Sequence, residues 1–118
     1  LQLTSSRSGM PTYWVKSMND GGWFVYLLEC KGRRIYTGVT PDLEVRMRAH
    51  AVGDGARFTQ WNSPVRLLAI CPQISQRDAL RLEAQVKRMP ASSKWLLADI
   101  WLQQYPVDES IQKVFSAQ

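Results

Sequence analysis

Five side chains in this sequence are of types that hydrolytic chemistry uses: Tyr26, Tyr36, Arg46, His50 and Glu83. A phenol, with an ordinary pKa of about 10, can deprotonate a water only where a nearby cation lowers that pKa. An arginine presents a planar fork that grips a carboxylate or a phosphate through two bonds. A histidine takes or relays a proton near neutral pH. A lone glutamate suits a hard cation that keeps most of its water, as Mg2+ does. Each of the five also has a plainer explanation. A tyrosine on a strand usually packs in the core or at its rim. Arg46 reads as a solvated or paired helix residue, and His50 as a helix-end residue at the negative end of the dipole. Glu83 and Lys87 stand four apart and suit a surface pair. Spacing alone therefore does not define a site.

The elements that must position these residues follow from periodicity and punctuation. Asn19-Asp20-Gly21-Gly22 breaks the chain. Trp23 to Cys30 is rich in aromatic and branched residues and predicts a buried strand. Phe24, Tyr26 and Leu28 share one of its faces; Val25, Leu27 and Glu29 share the other. A turn at 31–34 containing Gly32 leads to a second strand, Ile35 to Thr40, and so to a hairpin. Thr40-Pro41-Asp42 predicts a helix start capped by Thr40, with the helix running to about Val52 and stopped by Gly53-Asp54-Gly55. On it Leu43, Met47 and Ala51 make a core stripe, and Asp42, Arg46 and His50 a polar stripe beside it. Residues 53–63 read as a loop. Val65 to Cys71 reads as a third strand after Pro64. Ser75 to Met89 reads as a helix capped by Ser75, with Asp78 close to a capping box and Pro90 as its stop. A last helix starts at Ser92 or Ser93 and runs to Gln103, with Leu96, Leu97, Ile100 and Trp101 as its apolar face. The order β-β-α-β-α-α predicts an α+β fold, a three-stranded antiparallel sheet flanked by helices.

The 118 residues carry a net charge of +5, which suits one domain with a basic surface. The charge is uneven. Residues 21–94 hold twelve Lys or Arg against six Asp or Glu, whereas residues 95–118 hold one Lys against three acids. A basic middle suits a binder of phosphate backbones, though many basic surfaces touch none. Two cysteines without a CxxC pair and a single histidine argue against zinc. Cys30 and Cys71 are expected to be reduced and partly buried, in a cytoplasmic protein with no membrane segment. Residues 1–20 read as a lead-in, of which 1–9 look like an expression-tag remnant, residues 21–103 as the domain, and residues 104–118 as a C-terminal tail.

Val25-Tyr26-Leu27, followed ten residues on by Tyr36-Thr37-Gly38, resembles the GIY-YIG nuclease signature. The continuation Gly38-x-Thr40-x-Asp42-Leu43-x-x-Arg46-x-x-x-His50 is similar to the family's small standalone bacterial branch, the UPF0213 type. So is Gly53-x-Gly55-Ala56-Arg57-Phe58-Thr59. Ala79-Leu80-Arg81-Leu82-Glu83-x-x-x-Lys87 matches the helix that carries the family's metal-binding glutamate. Several ordered motifs over residues 22–97 make a specific signal, unlike one short pattern. The resemblance implies a GIY-YIG-like fold and hydrolysis of a DNA phosphodiester with one divalent ion, Mg2+ or Mn2+, in repair or recombination. It implies Tyr26, Tyr36, Arg46, His50 and Glu83 as catalytic residues, with Glu83 the metal ligand. Tyr36 or Tyr26 would then hold or deprotonate the water, Arg46 would supply the cation or clamp the phosphate, and His50 would relay a proton near neutral pH. Gly38 would leave the hairpin bare for the phosphate.

Two departures stand out. The first motif is Val25-Tyr26-Leu27 rather than Gly-Ile-Tyr. The family's terminal-helix asparagine has no counterpart in Lys94-Trp95-Leu96-Leu97, and no Asn follows Asn62. Lys31, Arg33 and Arg34 at the turn, with Gly38, Arg48, Arg57, Phe58, Arg66 and Lys87, are the expected nucleic-acid contacts, giving weak sequence preference and strong salt dependence. The expected partner is DNA, with branched, nicked or flapped forms as candidates. A homodimer or an accessory protein is expected to supply reach to a second strand. A nucleic-acid-binding module with weak or lost catalysis is the alternative reading, and a protein-interaction domain on the same scaffold a third.

Overall fold

Trp23–Cys30 forms β1, the middle strand of a three-stranded antiparallel sheet of order β2-β1-β3 in a computed structural model that describes residues 22–116. A middle strand covered on both faces must be apolar on both, which is why its sequence is a continuous run rather than an alternation. Val25 through Leu28 are all fully buried. β2 spans Arg34–Thr40 and β3 spans Pro64–Gln73. In the hairpin Tyr26 lies opposite Gly38, and Leu28 opposite Tyr36. Gly32 and Arg33 take φ of 75° and 60° in the connecting turn, where Arg33 is a left-handed residue other than glycine.

Tyr26, Leu28, Tyr36 and Gly38 share one face. That face is covered by α1, Leu43–Ala51, and by the C-terminal segment. The expected stripe is the buried one: Leu43, Met47 and Ala51 face the sheet. The cap differs from expectation. Asp42, not Thr40, accepts from Val45 N at 3.2 Å, because the Thr40 hydroxyl is taken by the Asp42 amide at 3.0 Å. Gly53, at φ 83°, ends the helix as expected. The segment 53–63 is not wholly a loop. It contains a one-turn helix, α2, Arg57–Trp61.

The other face carries α3, Gln76–Lys87, and α4, Ala91–Gln104. Ser75 caps α3 by accepting from Asp78 N at 3.1 Å, as expected. The apolar face of α4 differs from the expected one. Trp95, Leu97, Ala98 and Trp101 pack on the sheet, whereas Leu96 and Ile100 are 66% and 52% exposed. The inward stripe follows Trp95, Ala98 and Trp101 at three-residue steps, which turns Leu96 and Ile100 outward.

The expected tail, 104–118, is corrected as far as Ser116. Val107 and Ile111 are buried against α1 and the sheet, with a 3-10 turn at Glu109–Gln112 and a short α5, Lys113–Ser116. The Gln112 amide holds both backbone groups of Leu67, at 3.0 and 2.8 Å. It thus occupies hydrogen-bonding groups of edge strand β3 that would otherwise lie open. The lead-in, 1–20, lies outside the described residues. No described helix is long and apolar enough to cross a membrane. Cys30 and Cys71 are buried free thiols, and burial pushes the Cys30 pKa up to about 11.

Candidate active site

Gly38 is the key to the arrangement, and not through a bare surface. A Cβ there would sit 2.6 Å from Tyr26 Cζ and 2.9 Å from Tyr36 Cε2. The space the glycine frees is filled by the Tyr26 ring, which lies across β2. The expectation that Gly38 opens the hairpin to a phosphate is therefore corrected: the residue is buried beneath two phenols.

The Tyr26 ring is fully buried and its hydroxyl is held from two sides. His50 Nε2 lies 2.7 Å from Tyr26 Oη, and Arg46 Nε donates to the same oxygen at 3.3 Å. His50 Nδ1 lies 2.9 Å from Thr59 Oγ1. The Thr59 hydroxyl has one proton, and it goes to the Ala56 carbonyl at 2.9 Å. Thr59 therefore accepts from His50, so His50 carries its proton on Nδ1 and leaves Nε2 bare. The Tyr26 hydroxyl must then donate to Nε2. The chain of donors runs from Arg46 to Tyr26 to His50 to Thr59 to Ala56, with every direction set.

The charge states agree with this order. Burial, with Arg46 adding repulsion, lowers the His50 pKa to about 4, so the ring is neutral at pH 7. That departs from the expected proton carrier near neutrality. Burial also raises the Tyr26 pKa; the Arg46 hydrogen bond pulls it down, but by less. The expected net lowering of this phenol by a neighbouring cation is thus not met, because desolvation outweighs it. The bond to Tyr26 in turn raises the Arg46 pKa, which keeps the guanidinium charged.

Tyr36 differs from Tyr26 in being half-buried and open to solvent. Its ring lies 6.1 Å from Tyr26 and 5.4 Å from His50, and it stacks on Phe58 at 5.9 Å and 26°. Arg46 also interacts with Tyr36. Glu83 projects from the sheet-facing side of α3, between buried Ala79 and Val86. It is within electrostatic reach of Tyr26 but makes no hydrogen bond to the tyrosines, Arg46 or His50. Its Oε2 pairs with Lys87 at 3.3 Å, and its Oε1 has no partner among the described residues. The Thr37 hydroxyl, buried on the α3 side of β2, also lacks one.

The expected nucleic-acid contacts divide. Arg33 lies over Trp95 at 4.4 Å and Arg66 pairs with Glu29 at 3.3 Å, both on the α3–α4 side of the sheet. Arg48 pairs with Glu44 at 2.6 Å. Arg34 shares the Tyr36 face and bonds the Lys31 carbonyl at 3.4 Å; Arg57 is exposed on α2 beside Phe58. A cavity of about 470 Å³ borders His50 and Thr59 from behind, lined by Val52, Gly53 and Gln60, and does not reach Tyr36 or Glu83. Thr59 and Gly55 are the site residues that sequence reasoning missed. A Cβ on Gly55 would strike the His50 ring, with Cε1 only 2.9 Å away. Both belong to the Gly53-to-Thr59 run, but nothing in that run points to His50.

Two tyrosines, an arginine and a histidine meeting on one face of a three-stranded sheet, with a glutamate on the following long helix, define a class. The family model described as the GIY-YIG catalytic domain matches residues 22–94, and the chain belongs to that nuclease family. Within it, the chain is similar to small bacterial UPF0213 proteins. It is 42% identical over 96 residues to one from Xanthomonas axonopodis pv. citri, covering 78% of this chain and 94% of that one. It is 39% identical over 75 residues to one from Cupriavidus necator, covering 64% and 82%. The solution structure of a UPF0213 protein from Bacillus halodurans is 38% identical, covers 67% of this chain and 84% of that one, and superposes with a TM-score of 0.45.

Proposed function

We propose that this chain is a metal-dependent endonuclease that hydrolyses DNA phosphodiester bonds, with a role in repair or recombination. The observation that carries it is the directed hydrogen-bond chain Arg46–Tyr26–His50–Thr59 beside the solvent-facing phenol of Tyr36. Tyr36 positions the attacking water through its hydroxyl, since it is the less buried of the two phenols. Arg46, held in place by Tyr26, grips a nonbridging phosphate oxygen and keeps the Tyr36 oxygen in a positive field. Tyr26 and His50 do not exchange protons with solvent; they hold Arg46 and the neighbouring ring in register.

Glu83 fits one hydrated Mg2+ or Mn2+. No cluster of three His, Cys, Asp or Glu exists among the described residues, and Glu83 offers a single carboxylate with Oε1 unclaimed. Bound there, the cation would neutralise charge on the phosphate and the leaving oxygen. A nucleic-acid-binding module with weak catalysis is the second reading. The missing terminal-helix asparagine favours it: Gln103 and Gln104, at the end of α4, are exposed.

The test is a cleavage panel of single-stranded, nicked, flapped and four-way DNA with Mg2+ or Mn2+, for the parent and Glu83→Ala. The proposal expects turnover by the parent and a loss of at least about 100-fold in the variant. Equal cleavage by both would end it, and metal-independent binding without turnover would favour the second reading.

A further inference from the structure

The aromatic surface of the site continues outward from Tyr36. Phe58 stacks on Tyr36 from α2. Trp61 follows Phe58 by three residues on the same helix, so the two are neighbours on one helical side. Trp61 is 83% exposed, whereas Trp101 is buried and Trp23 and Trp95 are packed against the core. Among the described residues its side chain makes no hydrogen bond, ring contact or ion pair.

The charge around it says what could cover it. Arg57 is exposed on the same short helix and makes no ion pair among the described residues. Two aromatic rings beside an exposed, unpaired guanidinium complement an anionic strand with flat apolar bases. They disfavour a second copy of the same basic surface. In an intact duplex the bases are stacked on each other and cannot lie on an indole.

We propose that Phe58 and Trp61 form a stacking platform for unpaired bases of a DNA strand whose phosphate lies at Tyr36. This rests on the nuclease reading of the site and sharpens it: the chain prefers DNA with an unpaired strand, as at a flap or a fork, over intact duplex. Phe58 is tied to Tyr36, and Trp61 supplies the free ring.

The experiment is fluorescence anisotropy in EDTA with a labelled oligothymidylate and a blunt duplex of equal length, for the parent, Trp61→Ala and Trp61→Phe. Loss of one stacked base predicts that Trp61→Ala binds the single strand about tenfold more weakly. Duplex binding should stay within about twofold, and Trp61→Phe should recover most of the loss. An unchanged single-strand affinity, or an equal loss on both DNAs, overturns the platform while leaving the nuclease reading intact. A parent that binds neither DNA overturns the nuclease reading and the platform with it. Sedimentation and thermal melting complete the test. Dissociation of a dimer by Trp61→Ala would assign the indole to a contact between copies, and a fall in Tm would make it structural. Either result overturns the proposal.

Discussion

Replacing Gly38 by alanine puts one methyl group where the Tyr26 ring lies. Its Cβ would stand 2.6 Å from Tyr26 Cζ and 2.9 Å from Tyr36 Cε2, against about 3.5–4.0 Å for an ordinary carbon contact. Tyr26 cannot yield freely, because its ring is fully buried and its hydroxyl is tied to His50 at 2.7 Å and Arg46 at 3.3 Å. Overpacking costs about 1–3 kcal/mol, and stretching the buried hydrogen bonds about 1–3 more. The opposing gain, less backbone entropy to lose in a strand, is only about 0.5–1 kcal/mol. The clash wins, and Gly38→Ala should lose about 2–4 kcal/mol and lower Tm by roughly 10 °C or more. Gly53→Ala is the control. Nothing lies within 4 Å of its Cβ, so it should lose only the strain of φ 83°, about 1–2 kcal/mol. Urea denaturation followed by circular dichroism measures both. A Gly38→Ala protein as stable as the parent would refute the placement of the Tyr26 ring over β2.

Three further outcomes follow from the same geometry. His50, with a pKa of about 4 when folded and about 6.5 when unfolded, binds its proton more readily in the unfolded chain. Stability is therefore retained above pH 6.5 and falls by about 3 kcal/mol as pH drops toward 4, a loss that His50→Gln should lack; parallel stability-versus-pH curves for the two would contradict this. Gln112→Ala removes two bonds to the Leu67 backbone and should cost about 1–3 kcal/mol in urea denaturation, whereas a true tail residue would cost nothing. Thr59→Val takes the acceptor from buried His50 Nδ1 while keeping shape, so it should cost about 1–3 kcal/mol of stability and reduce turnover, and Thr59→Ser should restore both. Equal activity in Thr59→Val would show that the tautomer is not set there.

What could be read from the sequence was what periodicity controls. The alternation in β1 placed Tyr26 and Leu28 on one face, and the four-residue step in α1 placed Leu43, Met47 and Ala51 inward. What could not be read was anything set by a ring reaching across a strand. Gly38 looks like a bare surface in sequence, and only the direction of Tyr26 shows that its hydrogen is a packing requirement. His50 lies on a polar stripe by spacing, yet the loop from Gly53 to Thr59 folds over it and removes it from solvent. The inward turn of α4 was missed because Leu96, Leu97, Ile100 and Trp101 also form a plausible stripe. The sheet selects the one that brings Trp95 under Arg33. The C-terminal segment gave no strong pattern, since scattered apolar side chains, Val107, Ile111, Val114 and Phe115, and the Gln112 amide tie it down.

The most direct test of the central claim is the single-turnover cleavage rate of Tyr36→Phe on the best substrate of the panel, with DNA binding matched to the parent. Loss of the solvent-facing phenol, with its ring and its Phe58 stack retained, should slow cleavage by about 100- to 10,000-fold at unchanged affinity. A Tyr36→Phe protein that cuts at the parental rate would contradict the assignment of this surface as the reaction centre.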